Sequence, residues 1–120
     1  MAGGKRNRER GAELELEVVH TWKDQGVEAQ RVPLSGGAGG MFCGDVMLAG
    51  YTIECKRRKT GFGVLYDALE QQGSDFLVVR ADRKPRLYVI PEETMLLWHR
   101  QYGLFNFNLA NSKKEQDNEL

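Results

Sequence analysis

Apolar residues recur at helical spacing in three stretches of this chain. Leu14, Val18 and Trp22 follow one another at four-residue intervals, which is typical of one buried side of a helix. Two shorter stretches show similar spacing, with Gly73 after the first of them and Pro91 before the second. The predicted helices span residues 8–25, 64–72 and 92–102.

Shorter apolar runs between these helices predict strands. They span residues 28–32, 45–48, 51–56, 75–80 and 86–90. The run at 75–80 is apolar enough to be buried on both faces. The elements follow one another as helix, strand, loop, hairpin, helix, strand, strand and helix. This order predicts a small α/β domain in which helices pack on a mixed β-sheet.

The two strands of the predicted hairpin carry charge in apolar surroundings. If residues 49 and 50 form a two-residue turn, Asp45 lies directly opposite Glu54. Glu54 and Lys56 share a strand face, about 6.6 Å apart. Because facing carboxylates repel, we expect a cation between them. Lys56 supplies part of the positive charge that these carboxylates require, and a divalent metal would supply more. A Glu-x-Lys pair is, however, also common on solvated sheet faces.

Glu15 adds a third carboxylate to this set. It precedes Val18 and Trp22 by three and seven residues, so it lies within or beside the buried stripe of the first helix. A carboxylate in this position needs a partner. The partner is either an arginine or the cation that Asp45 and Glu54 would share.

Composition indicates a soluble globular protein, with 41% hydrophobic and 28% charged residues. No apolar run is long enough to span a membrane, and the basic N-terminus lacks the apolar core of a signal peptide. The two cysteines, Cys43 and Cys55, and the histidines His20 and His99 lack zinc-site spacing. We therefore expect a reduced cytosolic protein whose cysteines are small core residues.

The chain is predicted to contain a single domain over residues 9–110, between a disordered basic N-terminus at 1–8 and a disordered polar tail at 111–120. Inside the domain, residues 34–40 are rich in glycine. This loop is either a plain linker or a segment that closes over a bound strand. In the second case Ser35 and Arg31 would contact a phosphate.

Basic residues are clustered although the formal net charge is zero. The clusters cover residues 5–10, 56–59 and 80–86. Each cluster alone is compatible with a solvated face, but three clusters around one acidic pocket favour contacts with a phosphate backbone. The candidate DNA-binding residues are Arg6, Arg8, Arg10, Arg31, Arg57, Arg58, Lys59, Arg83 and Lys84.

The order of these motifs resembles the PD-(D/E)xK nuclease superfamily. The closer resemblance is to archaeal-type Holliday junction resolvases and their phage-borne relatives, over roughly residues 8–80. The matching positions are Arg10-Gly11, Glu15, Gly26-Val27, Arg31-Val32, Ser35-Gly36, Asp45 and Glu54-Cys55-Lys56. Gly44 stands where the superfamily pattern has a proline.

This resemblance implies a restriction-endonuclease-like core and Mg²⁺-dependent hydrolysis of phosphodiesters, with Mn²⁺ able to substitute. The implied metal ligands are Asp45, Glu54, the carbonyl of Cys55 and, through water, Glu15. The implied catalytic residues are Glu15, Ser35, Asp45, Glu54 and Lys56. Lys56 would orient or deprotonate the attacking water, or neutralise the charge that develops on the phosphate.

The resemblance also implies branched DNA as substrate, in the cytoplasm of a bacterial or phage host cell, with no membrane and no small-molecule cofactor. Two symmetric cuts at a four-way junction favour a homodimer. The candidate dimer surface contains Leu87, Val89, Met95 and Trp98. Two alternatives stay open: a nuclease of the same superfamily that cuts duplexes, flaps or mismatches, and a non-catalytic DNA-binding module whose acids form a structural network.

Overall fold

A computed structural model describes residues 2–32 and 45–105 of the chain, with side chains from residue 11 onward. The elements are α1 (Ala2–Asp24), β1 (Ala29–Arg31), β2 (Val46–Leu48), β3 (Tyr51–Ile53), α2 (Gly63–Gln71), β4 (Leu77–Val79), β5 (Leu87–Val89) and α3 (Glu92–Tyr102). This is the α/β composition and the order of helices and strands that the sequence predicts. The predicted glycine-rich loop at 34–40 and the predicted tail at 111–120 lie outside the described residues.

Helix α1 begins at Ala2, earlier than the predicted start near residue 8. The sequence predicts disorder for residues 1–8, whereas the structure gives residues 2–8 a helical backbone. The basic stretch at 5–10 is made mostly of arginine, lysine and glutamate, which are good helix formers. Extending an existing helix adds one hydrogen bond for each residue fixed, so such a stretch can join the helix that follows it.

The predicted domain of residues 9–110 contains parts of two compact units. The N-terminal unit comprises residues 1–57 and 105–120, and the C-terminal unit comprises residues 58–104. Helix α1 and strands β1 to β3 belong to the first, and α2, β4, β5 and α3 belong to the second. The residues of the predicted metal site therefore all fall in the N-terminal unit.

Each unit has its own antiparallel sheet. The strand order is β1-β2-β3 in the N-terminal unit and β4-β5 in the C-terminal unit. The prediction of one mixed sheet is therefore wrong for the described residues. A two-residue turn joins β2 to β3 and a seven-residue loop joins β4 to β5, and connections this short allow only antiparallel neighbours. Strand β4 is also less covered than predicted, because 44% of Val78 is exposed.

The hairpin of β2 and β3 has the predicted register. Val46 pairs with Ile53 and Leu48 with Tyr51, so residues 49 and 50 form the two-residue turn. Both turn residues have positive φ, 50° at Ala49 and 86° at Gly50. Positive φ at both positions is the signature of a type I′ turn, whose twist matches that of the two strands.

The core of the N-terminal unit lies between α1 and its sheet. Val19 and Trp22 of α1 are buried with strand residues such as Ala29, Val46 and Leu48. The predicted stripe of α1 thus meets the sheet, and Trp22 also packs edge-on against Phe105 with ring centroids 5.2 Å apart. In the C-terminal unit only His99 is buried. None of the described helices has both the length and the apolar character that a membrane span requires.

The turn gives a prediction about stability. Ala49 holds a left-handed conformation that costs most L-residues about 1–2 kcal/mol and that asparagine adopts more readily. We expect Ala49→Asn to raise the free energy of unfolding by up to about 1 kcal/mol. Urea denaturation followed by circular dichroism measures this change. Gly50→Ala is the matched control and should lower stability; a gain in stability from that variant would contradict the turn assignment.

Candidate active site

Asp45 is fixed just before β2 by its backbone and its side chain. Its amide donates to the carbonyl of Ile53 at 2.8 Å, and its carbonyl accepts from the amide of Val32 at 2.9 Å. Its carboxylate Oδ2 accepts from the backbone amide of Cys55 at 2.9 Å. A hydrogen bond from a backbone amide to a carboxylate is charge-assisted, so it holds the Asp45 carboxylate in one orientation at the end of the hairpin.

Glu15 has an arginine as its partner. The Nε of Arg31 donates to Oε1 of Glu15 at 2.9 Å, and only 16% of the Glu15 side chain is exposed. Arg31 follows Ala29 by two residues on β1, so it lies on the same sheet face as that buried residue and faces α1. Of the two partners that the sequence allows for Glu15, the described geometry contains the arginine.

Glu54 and Lys56 lie side by side as predicted. The Nζ of Lys56 is 3.5 Å from Oε1 of Glu54, and the two side chains are 61% and 57% exposed respectively. Such an exposed pair contributes little to stability. Its exposure instead leaves both groups accessible to a ligand from solvent.

The negative charges of all three carboxylates act on the thiol of Cys55. Its pKa is raised above the ordinary value, first by burial and then by the negative charges of Asp45, Glu15 and Glu54. Cys55 is half-buried rather than a full core residue. The three acids predicted from the sequence therefore converge closely enough to act electrostatically on one atom.

This convergence does not amount to an assembled metal site. Within residues 2–32 and 45–105, no group of three or more His, Cys, Asp or Glu side chains is arranged to hold a metal ion. Glu54 is exposed, like Thr52 two residues before it, whereas the Glu15 side chain on α1 is only 16% exposed and pairs with Arg31. Carboxylate and carbonyl oxygens are the ligands that Mg²⁺ prefers, so these residues have suitable chemistry for a magnesium site. Their side chains are not, however, positioned around one point in the described part of the chain.

The other candidate residues are dispersed. Arg57 forms an exposed ion pair with Glu13 of α1, with NH1 to Oε2 at 2.9 Å. The two residues are 44 positions apart, so no local pattern in the sequence predicts this pair. Arg58 and Lys59 are exposed. Ser35 lies outside the described residues, as do the side chains of Arg6, Arg8 and Arg10.

The loop between β4 and β5 carries the third basic cluster. Arg83 and Lys84 are exposed, and Arg83 has a positive φ of 64°. Nε of Arg80 donates to the carbonyl of Lys84 at 2.9 Å and closes the loop. The loop thus presents its cations on a defined turn, and contact between these cations and phosphates stays a prediction.

The candidate dimer residues differ in exposure. Leu87 is 65% exposed, whereas Val89 and Met95 are partly buried. Trp98 packs edge-on against Phe76, with ring centroids 5.9 Å apart. Part of the proposed surface therefore serves packing within the C-terminal unit, and Leu87 is the member most available to a partner.

Comparison with known proteins adds no family assignment. No family model, curated protein or solved structure matches this chain. The resemblance to junction-resolving nucleases therefore depends on the order and spacing of the motifs, and it stays a prediction.

The Glu15–Arg31 pair gives a second prediction. Arg31→Met leaves a largely buried carboxylate without its partner, which we expect to lower the free energy of unfolding by about 1–3 kcal/mol. The double variant Glu15→Gln/Arg31→Met should recover part of this loss in urea denaturation. Arg57→Met is the control, since its exposed pair should change stability by less than about 1 kcal/mol. Equal losses from Arg31→Met and Arg57→Met would contradict the assigned role.

The Cys55 thiol gives a third prediction, measured in a Cys43→Ser background so that a single thiol reacts. Asp45→Asn removes a negative charge that disfavours the thiolate and keeps an oxygen acceptor for the Cys55 amide. Because the pKa of the thiol then falls, the pH–rate profile for alkylation by iodoacetamide should move to lower pH, with a severalfold higher rate at mildly alkaline pH. Glu17→Gln, an exposed change on α1, should leave the profile unchanged. An unshifted pH–rate profile for Asp45→Asn would show that the charge of Asp45 does not act on the Cys55 thiol.

Proposed function

We propose that this chain is a metal-dependent, structure-selective DNA endonuclease that hydrolyses phosphodiesters at four-way junctions. The observation that carries the proposal is that Asp45, Glu15 and Glu54 all act with negative charge on the half-buried thiol of Cys55, whose backbone amide also donates to the Asp45 carboxylate at 2.9 Å. Two sequence-distant elements, α1 and the β2–β3 hairpin, supply these acids. Concentrated negative charge beside a half-buried group is costly, and clusters of this kind are frequent at sites that bind a cation or carry out a reaction.

The proposed ligands of Mg²⁺ or Mn²⁺ are Asp45, Glu54 and the carbonyl of Cys55, with Glu15 acting through water. When bound, the ion supplies a water of lowered pKa and positive charge beside the phosphate. The exposed ammonium of Lys56 is available to hold or orient the attacking water. The amide of Cys55 keeps the Asp45 carboxylate in one orientation.

Arg31 would connect the acids to the substrate. Only its Nε is bonded to Glu15, and within the described residues its other guanidinium nitrogens make no hydrogen bond. A guanidinium carries five N–H donors, and 34% of this side chain is exposed. Arg31 can therefore keep Glu15 paired while it donates to a phosphate oxygen, and the basic loop between β4 and β5 offers further backbone contacts.

The proposed partner is a four-way DNA junction, and the proposed setting is the cytoplasm of a bacterial or phage host cell. A junction has two symmetric scissile sites, so the active form would be a homodimer. Leu87, 65% exposed on β5, is one residue available to that contact.

A second candidate is a non-catalytic DNA-binding module. The ion pair of Glu15 with Arg31 and the amide bond to Asp45 favour it, because they satisfy two acids without a metal. In that case the acids form a structural network, and the basic clusters alone contact DNA. The two candidates differ in one property: only the nuclease cuts DNA when a divalent ion is added.

The decisive experiment compares an immobile four-way junction with a duplex of the same sequence, each with Mg²⁺ and with EDTA. We expect metal-dependent cutting of the junction. Asp45→Asn and Glu54→Gln should each lower the rate by at least about 100-fold and keep binding to the junction in EDTA. Glu17→Gln, an exposed acid of α1 outside the cluster, is the control and should cut normally.

The possible outcomes separate the candidates. Equal cutting of duplex, or preferred cutting of flaps or mismatches, would keep the nuclease and replace its substrate. Salt-sensitive binding without cutting in Mg²⁺ or Mn²⁺ would favour the binding module. Full activity in EDTA, or in Asp45→Asn, would contradict the metal-dependent mechanism.

A further inference from the structure

The C-terminal unit contains an apolar groove that the proposed nuclease site does not use. It lies between α2 and the segment from β5 to the start of α3, and its volume is about 750 Å³. Its apolar lining includes Phe62, Leu65, Leu69, Val89, Ile90 and Pro91. All of its lining residues fall within residues 62–94, so the groove belongs to one unit. Its size is that of sites that bind a small molecule or a few side chains.

The charges around this groove are all negative. The groove is lined by Glu70, Asp75, Glu92 and Glu93, and no lysine or arginine is among its lining residues. All four acids are exposed, and none of them forms a salt bridge with any residue in the described part of the chain. The formal net charge of the chain is zero, so this negative rim is local to the groove.

The helix dipole accounts for only two of the four acids that line the groove. Glu92 and Glu93 lie in the first turn of α3, where the helix dipole favours acids. Glu70 lies in the last turn of α2, where the dipole disfavours an acid, and that turn contains no basic residue. Asp75 lies outside any helix, before β4. A positively charged partner would offset the charge at Glu70 and Asp75.

We propose that this groove docks a peptide segment of a partner protein that carries apolar anchors flanked by lysine or arginine. The apolar floor would take leucine-sized or aromatic side chains, and the acidic rim would select for flanking cations. The same rim repels the phosphates of nucleic acid, so DNA is not the occupant. This inference concerns a surface separate from the acids of the N-terminal unit and does not depend on the proposed nuclease activity.

The test uses the full chain and fluorescein-labelled peptides of about 14 residues, roughly four helical turns. The first peptide places leucine on one helical face and lysine on the other. The second has glutamate in place of lysine, and the third has the first composition in scrambled order. Fluorescence anisotropy at about 0.15 M salt should give at least about tenfold tighter binding for the first peptide than for the others.

Two matched variants test the location. Glu70→Gln/Glu93→Gln should weaken binding of the first peptide by about fivefold or more, whereas Glu17→Gln/Glu28→Gln, exposed acids of the N-terminal unit, should leave it unchanged. In NMR spectra, amide shifts on peptide addition should concentrate at residues 62–94. Glutamine variants keep size and polarity, so loss of folding does not account for the result.

Three results would overturn the proposal. One is equal affinity for the lysine and glutamate peptides, and another is an equal effect of the two double variants. The third is sedimentation showing a dimer of this chain that Glu70→Gln/Glu93→Gln alters while no peptide binds, because a second copy would then occupy the groove.

Discussion

The register of the β2–β3 hairpin determines where the charged groups of the candidate site lie. A type I′ turn at Ala49 and Gly50 sets the pairing, and a shift by one residue would exchange the two faces of both strands. The buried Val46 and Leu48 make such a shift costly. This register brings the amide of Cys55 to the Asp45 carboxylate, so core packing on one face fixes polar geometry at the strand ends.

Each of the three acids near Cys55 has a different kind of partner. Asp45 accepts from a backbone amide, the largely covered Glu15 accepts from a partly exposed guanidinium, and Glu54 lies beside an exposed ammonium. Amide and guanidinium donors lower the cost of keeping a charge away from water, whereas the exposed pair depends mainly on solvation. These partners allow negative charge to collect around one thiol, although no three of the described acidic, histidine or cysteine side chains are arranged to hold one metal ion.

Short-range signals in the sequence predicted more of this structure than long-range ones did. The hairpin, its register and the Glu54–Lys56 pair follow from alternation and a two-residue turn, which neighbouring residues determine. The choice of Arg31 for Glu15 depends on how β1 packs against α1, which no local pattern encodes. Strand alternation places Arg31 on the same face as Ala29, but only the structure shows that this face is buried. The prediction of one mixed sheet was wrong because the order of elements along the chain does not determine which strands pair with one another.

A net charge of zero conceals a separation of charge within the C-terminal unit. The loop between β4 and β5 carries Arg80, Arg83, Lys84 and Arg86, and none of these residues lines the acidic groove of the same unit. Attraction between opposite charges would favour mixing them, and a solvated surface alone gives no reason to segregate them. Segregation is expected when two surfaces face partners of opposite charge, because each then attracts one partner and repels the other. A phosphate backbone at the loop and a basic segment at the groove would satisfy both conditions at once.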